Sequence, residues 1–126
     1  MDILGVKGRQ EIFVTEEMSA KSMGSGELMV FATPAMLSLV EKTAWMSISD
    51  HLEEGETTVG TMVNLSHVSA TPLGRKVWCE TEVTEVDRKK IVFKFDVFDD
   101  AGEIGRGEHE RFVVDSSKFM KKAESK

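Results

Sequence analysis

The stretch ATPAMLSLVEKTAWMSISDHLEEG, residues 32–55, decides the fold. Thr33 followed by Pro34 reads as a helix N-cap with proline at the first helical position, where its missing N–H costs nothing. Gly55 closes the segment. Between them Leu37, Val40, Ala44, Trp45, Ile48 and Leu52 recur at helical spacing, and Met36, Leu39 and Met46 widen the stripe over most of the circumference. So apolar a helix is expected to be buried on several sides. At ~1.5 Å per residue it spans roughly 28 Å, the length of a long strand.

Beyond Gly55 the period changes to two. ETTVGTMVNLSHVSA (56–70), RKVWCETEVTEVDR (75–88), KIVFKFDVFDD (90–100) and EIGRGEHERFVV (103–114) read as four long strands, joined at TPLG, RKK and DAG. Connections this short favour antiparallel neighbours. Upstream, GRQEIFVTEEMS (8–19) alternates, with Ile12 and Val14 on one side and Phe13 on the other, and reads as a further strand. In SAKSMGSGELMVF (19–31), glycines and serines give way to four apolar residues, the pattern of a loop or lid closing on something apolar. DSSKFMKK (115–122) predicts a short C-terminal helix capped by Asp115 or Ser116 ahead of a polar tail. The expectation is a single α+β domain over residues 1–126, with 116–126 as terminal helix and tail, in which a curved antiparallel sheet wraps one long helix: the hotdog arrangement. Gly105 and Gly107 share a face with His109 and Arg111, so the last strand either lets another backbone come close or bulges there. One such layer leaves sheet edges unpaired, and pairing two copies covers them, so at least a homodimer is expected.

The chain's 126 residues, 40% hydrophobic and 30% charged, suit one globular domain. A net charge of -6 argues against a general nucleic-acid binder, which needs a positive footprint. The single cysteine, Cys79, has no internal disulfide partner, and the sequence opens on no signal-like segment. No apolar run approaches the roughly 20 residues of a membrane span. The expectation is a cytoplasmic protein acting neither on nucleic acid nor in a membrane. His51, His67 and His109 are scattered without metal-ligand spacing, so no metal site is expected.

Three residues stand out chemically. Glu41 has Ser38, Leu37, Ala44 and Trp45 as its helical neighbours. A carboxylate in such apolar surroundings is poorly hydrated, which suits a nucleophile or general base; the competing reading is a core-edge glutamate reaching solvent or a hydrogen bond. Thr33 reads first as the N-cap, close to helix amides that favour negative charge. His67 continues the alternation Val59, Thr61, Val63, Leu65 and therefore faces inward, either as a satisfied core histidine or as a catalyst facing a carboxylate. His51 reads as solvated, His109 as packed between strands, and Cys79 as a packing residue beside Val77 and Val83. Arg75-Lys76 and Arg88-Lys89-Lys90 are solvated turns, or holders of phosphates if the ligand carries them. Trp78 packs against a partner or shields the sheet.

Taken together, ATPAMLSLVE, TVGTMVNLSHVSATPLG and EIGRGEHERFVV resemble the hotdog-fold acyl-CoA thioesterases of the fluoroacetyl-CoA thioesterase type, over nearly the whole chain. The resemblance implies a catalytic threonine, glutamate and histidine at Thr33, Glu41 and His67, with Gly60 and Arg111 near the site. It implies an acyl-CoA substrate and no cofactor, CoA being part of the substrate. Phe31, Met36, Arg75 and Lys76 are the further substrate-binding candidates. The lid offers methionines, leucine and one phenylalanine, without a clear match to an aromatic cover, which favours an ordinary short or medium acyl group over a fluorinated one. The rival readings are a non-catalytic hotdog module that binds acyl-CoA and a hotdog dehydratase or hydratase that leaves the thioester intact.

Overall fold

The structure, a computed structural model, describes residues 1–126. Five antiparallel strands form one sheet: β1 (Lys7–Phe13), β2 (Glu56–His67), β3 (Lys76–Asp87), β4 (Lys90–Asp99) and β5 (Gly102–Asp115), in the order β1-β3-β4-β5-β2. The long helix α2 (Thr33–Ile48) follows a four-residue helix α1 (Ala20–Met23) and ends in a single 3-10 turn, Ser49–His51. A terminal helix α3 (Ser116–Glu124) is capped by Asp115, whose carboxylate accepts from the Lys118 amide at 2.9 Å. All four strands expected after Gly55 are present, as is the one before the lid.

Packing corrects the expected helix. Its buried face is Ala35, Met36, Leu39, Val40, Thr43, Ala44 and Ile48, whereas Trp45 and Met46 remain 43% and 39% exposed. The apolar residues thus exceed what one sheet covers, and the excess faces away from it.

The core has two halves. Around the first part of α2 lie Phe31, Met36, Leu39, Val40, Val77, Cys79, Phe95, Val97 and Ile104. Around its end lie Ala44, Ile48, Val83, Ile91, Phe93 and Val113, together with Ile3 from the N-terminal segment, which no periodicity announced. Three elements pass from one half to the other through a buried polar residue, Thr43 on α2, Thr81 on β3 and His109 on β5, whereas β4 passes directly from Phe93 to Phe95. Burial pushes the Cys79 thiol up to about 12, so it packs rather than reacts. Trp78 shields the outer face, stacked on Phe98 at 5.7 Å with Arg9 and Lys76 over its ring.

Both alternatives for the β5 glycines occur: neighbours come close to them, and the register against β4 shifts between Glu103 and Gly105. A Cβ on Gly105 would sit 2.5 Å from the Met36 sulfur, and one on Gly107 would run into the backbone carbonyl of Asn64 on β2.

The alternation expected on β2 fails halfway. The register against β5 shifts between Gly60 and Met62, and this bulge reverses which residues face in. Before it, Thr58 is buried; after it, Val63 and Leu65 pack on the core, while Thr61 is exposed and its hydroxyl bonds the Glu110 carbonyl. His67 does face inward, but Val59 and Thr61 do not share its phase.

Candidate active site

The start of α2 and the end of β2 bring Thr33 and His67 together. The Thr33 hydroxyl lies 2.8 Å from His67 Nδ1. This replaces the expected N-cap: Ala32 occupies the cap position without a side-chain bond, and Thr33 is already helical. Phe31, fully buried, meets the His67 ring edge-on at 6.5 Å. His67 Nε2 is buried and makes no hydrogen bond within the chain. Burial holds the imidazole below its ordinary pKa, with the Ser69 backbone opposing, so the ring is neutral near pH 7. A cavity of about 320 Å³ opens beside the pair, bounded by Ala20 and Ser25 of the lid and by Val68 and Ala70 after β2.

Two turns further along α2, Glu41 faces the bulge. Its carboxylate accepts from the Arg111 guanidinium, Nη1 to Oε2 being 3.3 Å. The Glu41 side chain is 39% exposed, so it is neither enclosed by apolar groups nor shielded from water as its helical neighbours suggested; Arg111, at 7%, is the buried partner. Gly60 explains how the carboxylate fits, since a Cβ there would lie 2.5 Å from Glu41 Oε2. Arg111 is further held by Thr58, donating from Nε to its hydroxyl at 2.8 Å and from Nη2 to its carbonyl at 3.0 Å, and it lies 3.1 Å from His109 Nε2. Burial lowers the Arg111 pKa, the Glu41 carboxylate pulling the other way.

The expected residues therefore fall into two groups. Phe31, Thr33 and His67 form one, and Glu41, Gly60 and Arg111 the other; their helix anchors Thr33 and Glu41 are about 12 Å apart at ~1.5 Å per residue, and their strand anchors Gly60 and His67 roughly 23 Å apart at ~3.3 Å per residue. Met36 lies beneath the first, against Gly105, the register partner of His67. Arg75 and Lys76 join neither: Arg75 is exposed after the TPLG turn, and the Lys76 ammonium lies 5.2 Å above Trp78 on the outer face. Sequence reasoning missed Thr58 and undervalued His109. Both belong to the bulged register, and only the pairing of β2 with β5 reveals it. A larger concavity, about 530 Å³, lies between Lys7, Arg9, Glu80 and Lys94, but its charges are mixed and no apolar side chain lines it.

A family profile described as fluoroacetyl-CoA-specific thioesterase matches residues 14–117. The chain belongs to that family. It is accordingly a thioester hydrolase. The fluoroacetyl-CoA thioesterase of Streptantibioticus cattleyicolor is 35% identical over 97 residues, covering 77% of this chain and 70% of the relative. A solved structure of the fluoroacetyl-CoA thioesterase FlK superposes with a TM-score of 0.92 at 29% identity, over 98% of this chain and 96% of that one. A phenylalanine-to-alanine mutant of FlK, solved with fluoroacetate and CoA, matches at 0.87 and 28% identity, over 92% and 98%. The hotdog fold and the family resemblance read from the sequence hold. No helix is long and apolar enough to cross a membrane.

Proposed function

We propose that the protein hydrolyses short- or medium-chain acyl-CoA thioesters to the free acid and CoA, with Glu41 as nucleophile or general base. One observation carries this reading: the Glu41 carboxylate, seated in the space that Gly60 leaves and held by Arg111, still keeps 39% of its side chain exposed, so a substrate carbonyl can reach it. In the covalent route a Glu41 oxygen attacks the thioester carbon, CoA leaves as thiolate, and water cleaves the resulting anhydride to regenerate Glu41. In the direct route Glu41 takes a proton from water as the water oxygen attacks, and the proton passes to the departing sulfur. A thiolate whose parent thiol ionises near ~8.5 leaves readily, so delivery of the nucleophile is the step that needs help. Thr33 and His67 steady the oxyanion or the water, with His67 Nε2 free to bond either. The stretch 19–31 supports the acyl assignment: residues 19–30 contain no aromatic side chain, and Phe31, packed on His67, is the one aromatic ring in an apolar wall shared with Val30, Ala32 and Val68.

The two halves of this machinery meet in a homodimer. Strand β2 is an edge strand with one side unpaired. Self-pairing about its centre, between Thr61 and Met62, sets Gly60 across from Val63 of the partner subunit. From there the partner subunit's His67 is about four residues away, roughly 13 Å at ~3.3 Å per residue, against about seven residues, or ~23 Å, for the chain's own. Glu41 of one copy therefore works with Thr33 and His67 of the other.

Release of free thiol from a panel of acyl-CoAs tests the function, by wild type and by Glu41→Gln, which keeps the shape of the side chain. A loss of kcat of about 10³-fold or more is expected from removing the nucleophile or base. Acyl-CoA binding with no thiol release would instead leave a non-catalytic module.

A further inference from the structure

The segment GEHER places Gly107, His109 and Arg111 on the inner face of β5. His109 is fully buried and lies on the Phe93 ring at 6.0 Å. Its Nδ1 is 2.8 Å from the carbonyl oxygen of Met62, the residue where β2 resumes register after the bulge. A carbonyl only accepts, so Nδ1 carries the proton. In the neutral ring Nε2 is then a lone pair, and it faces Arg111 Nη1 at 3.1 Å, which donates to it. The same Nη1 donates to Glu41, while Thr58 takes Nε and Nη2.

We propose that His109 is a positioning residue for hydrolysis: a neutral imidazole, fixed in one tautomer by the Met62 carbonyl, that aims Arg111 and through it the Glu41 carboxylate. The inference rests on the reading of Glu41 given above. A protonated ring would turn an N–H toward the guanidinium, setting donor against donor and charge against charge. The surroundings prevent this. Burial lowers the His109 pKa first, and Arg111 acts in the same direction, against the Met62 carbonyl and the carboxylates of Glu41 and Glu110. The bulge thereby gains a purpose: it presents Met62 to His109 and Gly60 to Glu41 within three residues of one strand.

The test combines spectroscopy with two variants. Ring-nitrogen NMR of the ¹⁵N-labelled wild type at neutral pH is expected to show His109 protonated at Nδ1 alone. His109→Gln places a carbonyl where Nε2 was and still accepts from Arg111; His109→Asn reaches only Met62 and leaves Arg111 without its acceptor. With thiol release as the assay, H109N is expected to lose kcat about 10–100-fold with KM within about twofold, the size of effect that a small misplacement of a reacting group produces. H109Q is expected to keep kcat at least about tenfold above H109N while the two melt at similar temperatures. An Nε2–H or charged ring, equal kcat in the two variants, or a loss confined to KM overturns the proposal. Glu41→Gln separates the failures: full turnover there removes the catalytic reading and this inference with it, whereas an inactive E41Q beside an unimpaired H109N removes the inference alone.

Discussion

A threonine at the start of a helix has two kinds of partner within reach, the helix's own amides and whatever faces the helix end. In this chain His67 takes it. The consequence is measurable, because a cap threonine replaced by alanine costs typically ~1 kcal/mol, whereas a hydroxyl outside the cap costs much less. Thr33→Ala is expected to leave urea-unfolding stability within about 0.5 kcal/mol and still to reduce kcat by about tenfold or more. A stability loss near ~1 kcal/mol with unchanged kcat would restore the cap reading. The histidines predict a pH effect as well. His67 and His109 are both held below the ordinary imidazole value, chiefly by burial. In the unfolded chain each titrates near ~6.5, so above that pH both states are neutral and stability is insensitive to them. As pH falls through ~6.5 the unfolded chain binds protons that the folded chain does not, and stability declines until the lower folded values are reached. Thermal melts from pH 7.5 downward should therefore show a fall that is shallower in H109Q. Identical slopes for the two proteins would mean that His109 is not held neutral.

The elements were legible wherever periodicity reports them, and the departures have local causes. The 3.6-residue stripe and the two-residue alternation follow from which faces must leave water; the first appears in α2, which ends at Ile48 rather than running to Gly55, and the second is unbroken in β4. The bulge between Gly60 and Met62 was hidden, since one inserted residue exchanges two faces that are both partly apolar here: Val59 and Met62 are each half-buried. Glu41 was singled out by its helical position and Gly60 and Arg111 only by resemblance, and the structure sets all three side by side; without the register, nothing in ETTVG announces that Thr58 will hold a buried arginine. Gly105 was read on the strand face itself, and its test is a packing test. Gly105→Ala drives a methyl into the Met36 sulfur and should cost about 1–3 kcal/mol, as overpacking does. Met36→Ala alone should cost about 2–5 kcal/mol through the cavity it leaves. If the two side chains contend for one space, the double variant is more stable than the sum of the losses predicts, by about 0.5–3 kcal/mol in a double-mutant cycle. Strict additivity would place the strain of the alanine elsewhere.

At the scale of the molecule, three features stand together: the open edge of β2, the Trp45–Met46 face of α2, and two separate groups of candidate site residues whose strand anchors, Gly60 and His67, lie about seven residues apart on β2, roughly 23 Å at ~3.3 Å per residue. Pairing two copies through β2 meets all three, covering a strand edge that would otherwise template aggregation and bringing Glu41 toward the partner subunit's His67. Trp45 sits one turn beyond Glu41 on the same helical face. It therefore belongs to the proposed interface and to neither half of the core. Trp45→Glu introduces two like charges near the two-fold axis without disturbing a buried contact within the chain, and is expected to give a folded monomer with little activity, read by light scattering and thiol release. A fully active dimer would move the interface elsewhere. Hybrid dimers make the stronger test, because they depend on which chain supplies which residue. Inactive Glu41→Gln and His67→Ala proteins, refolded together, form hybrids in about half of all pairings, and each hybrid carries one site with an intact Glu41 from one chain and an intact His67 from the other. Activity should return to about a quarter of the wild-type level. A site assembled within one chain has no intact copy in any hybrid, and the mixture would stay as inactive as its parents.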